Sequence, residues 1–354
     1  MTLAPCGRND KLMGQASVPV GLKLGPPKRA APDGRTLRDP RTDWGDQSRV
    51  LKRSDGIPST SKLGQDIIKM NYDQPRDGYV NVNGINLHYL DWGGTGSPIV
   101  IVHATGFLGR IYAPIAHELR AIGHVFGYDQ RGHGDSGPAP NEEYNWSATV
   151  ADLRGFIAAM GFESVRGLGH SAGATALGAV SALSPGLVSR AVLVDPIVHD
   201  ATDRSASQSR GQALVAGTLK RRRVFDSVEH AMSHLGAKPP FDTWDKSILR
   251  AYCDHGTRER ADGTRELKCD PAVEAKLYAT SRDFDGLSLL LKSETRLLVI
   301  STKQAHELRP SALNHLRSEL KNARILDFPE ANHLLPMESP AEIARIAVGF
   351  LGEK

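Results

Sequence analysis

The residues with the clearest capacity for chemistry are Gly169-His170-Ser171-Ala172-Gly173, a G-x-S-x-G run after the apolar stretch "SVRGL" and before the small-residue stretch "ATALGAVSAL". Between a strand and a helix this spacing demands a turn so tight that the positions two before and two after the serine must lack side chains. The hydroxyl is then lifted above the sheet edge, with a helix N-terminus beneath it. A serine hydroxyl is a poor nucleophile until a base takes its proton, so a histidine has to come within hydrogen-bond reach. The negative oxygen of a tetrahedral intermediate also needs preorganised donors. Other chemistries lack their signatures: there is no H-E-x-x-H run and no Walker motif, and Gly132-His133-Gly134 lacks the third glycine of a dinucleotide fingerprint.

Such a serine needs strands and helices to hold it, and the flanking sequence supplies them. "GYVNV" and "INLHYLDW" are joined by Asn83-Gly84, a strong hairpin signal. Short apolar runs follow at 98–106, 124–132, 164–173, 190–196 and 296–302, each ending in a Gly- or Asp-rich loop, with helical segments between them. Strands alternating with helices predict a mostly parallel central sheet flanked by helices. Between 197 and 293 the alternation stops and the chain reads as helices. Starts are expected at Asp226/Ser227, after Asp242 for a helix ending at Gly256, and at Asp270-Pro271. Ser339-Pro340-Ala341-Glu342 reads as a capping box for the last helix. The expected organisation is a core of residues 78–196 and 294–354 with an inserted helical cap at 197–293.

Four features in this order resemble the α/β-hydrolase superfamily. They are His103-Ala104-Thr105-Gly106-Phe107 after one strand, Asp129-Gln130-Arg131-Gly132-His133-Gly134-Asp135-Ser136 after the next, the Ser171 turn, and "EANHLLPMESP" with His333. The resemblance covers about residues 78–354. It implies an α/β-hydrolase fold in which Ser171 is the nucleophile, His333 the base, and no cofactor or metal takes part. Ala172 is implied as one oxyanion donor. The second comes from the loop after His103: aligning on the glycine gives Phe107, which we take as the expectation, and counting from His103 gives Thr105. The acid departs from the usual pattern, because "STKQAHELRPS" has Ala305 where relatives carry Asp. Asp195, at the end of "AVLVD", is the expected acid and Glu307 the alternative. His103, His133 and His170 are read as bracing residues. A serine at the turn disfavours the dehalogenase and epoxide hydrolase members, which use an aspartate there.

The implied activity is hydrolysis of a carboxylic ester or lactone through an acyl-enzyme on Ser171. Alternatives are C–C bond hydrolysis or acyl transfer with the same residues, and a non-catalytic ligand receptor on the same fold. Lys220-Arg221-Arg222-Arg223 is read as a solvated face at a helix end, and Phe225, Phe241, Trp244, Tyr252 and Tyr278 as residues that hold the insert together.

Composition sets the outer limits. The chain has 354 residues, 40% of them hydrophobic, and a net charge of +4. Residues 1–77 hold 14 Lys and Arg against 9 Asp, leaving 30 basic against 31 acidic residues for the rest. The near-neutral remainder gives no reason to expect nucleic acid as a partner, and a small-molecule substrate fits better. Residues 1–77 are rich in Gly, Pro and charge without periodicity, and read as a disordered basic extension; Met70 is a conceivable start of translation. Cys6, Cys253 and Cys269 form neither a disulfide framework nor a zinc motif, which favours the cytoplasm. No apolar run is long enough to predict a membrane span.

Overall fold

The structure, a computed structural model, describes residues 74–200 and 204–353. The disordered-extension reading and the Met70 start therefore lie, up to residue 73, outside the described residues. The first strand begins earlier than expected: β1 (Arg76–Val82) takes in Arg76 and Asp77. Asp77 faces His88 across the hairpin at 2.9 Å, and Arg76 pairs with Asp91 at 2.7 Å.

β1 turns into β2 (Ile85–Gly93) through Asn83 and Gly84, both at positive φ (51° and 78°) as a type I′ turn requires. The chain continues through β3 (Pro98–Val102), α1 (Ala113–Leu119), β4 (His124–Tyr128), α2 (Trp146–Ala159), β5 (Val165–His170), α3 (Ala172–Leu183) and β6 (Val188–Val194). The insert holds α4 (Arg204–Leu219), β7 (Val224–Phe225), α5 (Val228–Gly236), α6 (Lys246–His255), β8 (Thr257–Glu259), β9 (Arg265–Leu267), α7 (Pro271–Thr280) and α8 (Gly286–Leu291). It is followed by β10 (Arg296–Thr302), α9 (Lys303–Leu308), α10 (Pro310–Glu319), β11 (Ala323–Phe328), α11 (Leu335–Glu338) and α12 (Pro340–Leu351).

Eight strands form one sheet in the order β1-β2-β4-β3-β5-β6-β10-β11. The β1–β2 and β2–β4 pairings are antiparallel and the rest parallel. Side chains alternate along each inner strand, so the sheet builds two cores at once. Ile99 and Ile101 of β3, Val192 and Val194 of β6, and Leu298 and Ile300 of β10 face the layer of α1 and α12. Val100 and Val102, Ala191 and Leu193, and Leu297 and Val299 face α2 and α3. Burial on both faces is why these strands read as unbroken apolar runs.

The insert differs from the all-helical expectation. β7, β9 and β8 form a small antiparallel sheet of their own, too short to leave a period-2 trace in sequence. Two helix starts match the expected caps: Ser227 accepts from His230 N–H at 3.1 Å, and Asp270 accepts from Ala272 N–H at 2.8 Å. α6 is capped by Asp245 and not started by Asp242. Ser339 precedes α12 without a side-chain cap bond, so the expected capping box does not form there.

Candidate active site

Ser171 stands between β5 and α3 with φ 56° and ψ −121°, a conformation L-residues rarely adopt and one that costs on the order of 1–3 kcal/mol. The flanking glycines explain why the chain tolerates nothing larger. A Cβ on Gly169 would lie 2.6 Å from Ala174 Cα, and one on Gly173 would run into the carbonyls of Val102 and His103. The Ser171 N–H donates to Val194 O at 2.9 Å, tying the turn to the end of β6.

Three expected residues come together at this turn. Ser171 Oγ lies 2.9 Å from His333 Nε2, and His333 Nδ1 lies 2.6 Å from Asp195 Oδ2. Asp195 directly follows β6, is fully buried, and has φ 43°. Its Oδ2 also accepts from Thr302 Oγ1 at 2.7 Å, and its Oδ1 accepts from the buried Arg309 guanidinium at 2.9 Å. Burial opposes its charge, but the Arg309 guanidinium and the hydrogen bonds from His333 and Thr302 outweigh this and hold its carboxyl below the usual carboxylate range. Glu307 is not part of this set. It projects from α9 with its side chain largely exposed, 3.8 Å from Lys303 one helical turn away.

Behind the serine, His170 fixes the loop that carries His333. Tyr112 OH donates to His170 Nδ1 at 2.8 Å, and His170 Nε2 donates to the backbone carbonyl of His333 at 2.9 Å. Burial, reinforced by the nearby His333, pushes His170 down to about 3, so the ring stays neutral. Sequence reasoning missed Tyr112, Thr302 and Arg309: each acts through the fold, and none belongs to a local motif.

The loop after β3 corrects one expectation. The Phe107 N–H donates to Ala104 O at 3.2 Å, closing a turn with Gly106 at φ +84° in its third position, as a type II turn requires. Phe107 is therefore spent on the turn, and its ring packs edge-on against Trp244 and Tyr252. Gly106 N–H donates to His133 Nε2 at 2.9 Å. Among the described residues the Thr105 N–H has no recorded partner. Thr105 and Ala172 line one small cavity with Gln130, Trp146 and Leu277. Ala172 opens α3, where the N–H has no intrahelical acceptor.

His103 and His133 brace this loop. His103 Nε2 accepts from Gln130 N–H at 2.9 Å while its Nδ1 donates to Ala104 O at 2.8 Å. Burial lowers His103 and pushes His133 down to about 3. The insert reaches the same loop: Tyr252 OH donates to Gly106 O at 3.4 Å, and a Cβ on Gly106 would lie 2.7 Å from Glu274 Oε1. Glu274 is ion-paired with Arg221, so this member of the basic run is not solvated. Phe241, Trp244 and Tyr252 pack against one another in tilted and edge-to-face pairs. Buried Cys253 is pushed up to about 12, against any nucleophilic part.

One group has metal-like spacing: ligand atoms of His88, Asp129 and Asp135 lie within 4.8 Å of one another. Both His88 nitrogens already bond carboxylates, Asp129 at 2.8 Å and Asp77 at 2.9 Å. Asp129 also accepts from the Gly109 and Asp135 N–H groups. The cluster is thus accounted for as a clasp between β2 and the loop after β4. No helix among the described residues is long and apolar enough to cross a membrane.

Known proteins resemble this chain in sequence over part of its length and in fold over most of it. N-formylmaleamate deformylase of Pseudomonas putida is 38% identical over 122 residues, covering 34% of this chain and 45% of that protein. Epoxide hydrolase A of Mycobacterium tuberculosis is 35% identical over 105 residues, covering 28% of this chain and 32% of that protein. The matched stretch spans less than half the length of either curated relative. Among solved structures, E-2-(acetamidomethylene)succinate hydrolase superposes with a TM-score of 0.69 at 20% identity, over 79% of this chain and 100% of that one. The enol-lactonase of Burkholderia xenovorans superposes with a TM-score of 0.58 at 21% identity, over 78% and 100%. At these identities the likeness is one of fold. The sequence profile of the alpha/beta hydrolase family matches residues 99–346, and the chain belongs to that family.

Proposed function

We propose that this hydrolase cleaves a small or medium carboxylic ester or lactone without a cofactor, through an acyl-enzyme on Ser171. The observation that carries this reading is the continuous path from Ser171 Oγ through His333 to Asp195, at 2.9 and 2.6 Å. His333 Nε2 takes the serine proton as Oγ attacks the acyl carbon, then delivers it to the leaving oxygen. The same nitrogen next activates water to release the acid. Asp195 holds the imidazole with Nδ1 protonated and balances the imidazolium. The N–H groups of Ala172 and Thr105 receive the oxyanion. Residues 197–293 act as a cap over this site and set substrate choice, and the protein works in the cytoplasm.

A second bond type has an observation in its favour. The relative at 38% identity is an N-formylmaleamate deformylase, and the same acyl-enzyme steps release a nitrogen leaving group once His333 delivers the serine proton to that nitrogen. Epoxide opening is disfavoured, because Ser171 replaces the carboxylate that attacks epoxides. Product analysis with matched esters, lactones and N-formyl amides tests both readings. Turnover of at least one class is expected, with loss of about six orders of magnitude in Ser171→Ala. Undiminished turnover in that variant would overturn the proposal.

A further inference from the structure

We propose that Arg309 is a positioning residue of the reaction: its guanidinium holds the Asp195 carboxylate in the one orientation that serves His333. The inference deepens the serine-hydrolase reading and rests on it. The loop after β10 is where relatives were expected to carry the acid, and here it contributes a cation and a hydroxyl in its place. Thr302 and Arg309 both turn inward onto Asp195, one on each carboxylate oxygen, at 2.7 and 2.9 Å. Arg309 is itself buried, its side chain 5% exposed.

A buried charge pair is a poor source of stability, since desolvating both ions offsets most of their attraction. Its distinctive property is direction. A carboxylate held only by His333 would be free to rotate about its Cβ–Cγ bond, whereas donors in fixed places on both oxygens set that angle. Asp195 also sits at positive φ, a backbone state that the Asp195 N–H bond to Ile300 O at 2.7 Å helps to hold. The charged and titratable groups facing the carboxylate are His333 from the loop after β11, Arg309 from the α9–α10 junction, and His170 from β5. Val299 of β10, Val198, and Leu313 and Leu316 of α10 complete the wall with apolar surface, beside Ser301. Ser301 in turn bonds Asp327, which pairs with His306 at 3.2 Å and Arg317 at 2.8 Å on the far side. Without Arg309 the buried carboxylate would be left with only His333 and Thr302 among its side-chain donors, both on Oδ2, and with nothing on Oδ1.

The test is the pH profile of kcat/KM for wild type, Arg309→Met, Arg309→Lys and Thr302→Val, with fluorophosphonate labelling of Ser171 checked on a separate sample of each. Arg309→Met is expected to lower kcat about tenfold or more, the worth of one charged hydrogen bond, with KM nearly unchanged. Its acid limb should move to higher pH, because the carboxylate takes up a proton more readily. Arg309→Lys should return the limb towards the wild-type position and recover only part of kcat, because an ammonium lacks the planar fork. A folded Arg309→Met enzyme with wild-type kcat and limb would overturn the inference. Should Arg309→Met not fold, wild-type behaviour of both Arg309→Lys and Thr302→Val would overturn it equally. Wild-type protein that labels nowhere would sink the serine-hydrolase reading instead, so the two failures are distinguishable.

Discussion

Two carboxylates compete for one task in the sequence, and their surroundings separate them. Asp195 is fully buried, with His333, Thr302 and Arg309 on its oxygens. Glu307 faces solvent beside Lys303, where an exposed ion pair contributes at most about 1 kcal/mol. Asp195→Asn is therefore expected to lower kcat by roughly 10³–10⁴, the loss that follows when the base is held in the wrong tautomer. Glu307→Gln should stay within about twofold of wild type. Steady-state kinetics on the two folded variants decide the matter, and equal losses would remove Asp195 from its role. Ser171 and His333 were legible at this scale because each sits in a short run of fixed spacing. Arg309, Thr302 and Tyr112 were not, because they reach the site only once β10, β6 and α1 have been placed by packing. Phe107 is the converse case: a glycine offers it as a donor by alignment, but its N–H goes to Ala104 O in the turn, a use that only the folded loop reveals.

The elements were readable in proportion to their burial. β3, β4, β5, β6 and β10 pack on both faces and leave apolar runs that any reader of the sequence finds. β11 lies at the sheet edge and is partly exposed along its length, so "ARILDF" carries no such run and escaped notice. β7, β8 and β9 have two or three residues each and cannot show a period. Helix starts whose side chain must satisfy backbone N–H groups, such as Ser227 and Asp270, were visible by residue type. The Ser339 motif has the right letters, yet Ser339 sits at φ −139° and ψ 59° and its side chain makes no cap hydrogen bond. Residues 197–293 show in the sequence as a break in alternation, but their contacts to Gly106 through Tyr252 and Glu274 depend on tertiary packing that no local pattern encodes.

For the whole molecule, buried histidines make stability depend on pH in opposite directions. His133 and His170 are pushed down to about 3 by burial, so between there and the ordinary value near 6.5 only the unfolded chain takes up their protons. Stability should fall through that window by on the order of 1 kcal/mol per pH unit for each histidine. His88 behaves oppositely. Burial works against its charge, but the carboxylates of Asp129 and Asp77 outweigh this and raise it. Its contribution is complete below about 6.5 and is lost as pH rises through the higher folded value. Urea midpoints should therefore peak near neutrality and drop most steeply on the acid side; a midpoint at about pH 4.5 equal to that at 7 would contradict this. The central claim, an activated serine at the β5–α3 turn, is tested most directly by reacting the protein with a fluorophosphonate and mapping the adduct by mass spectrometry. The account predicts one adduct, on Ser171, lost in Ser171→Ala and sharply slowed in folded His333→Ala. Labelling elsewhere, or labelling of Ser171 at an unchanged rate without His333, would contradict it.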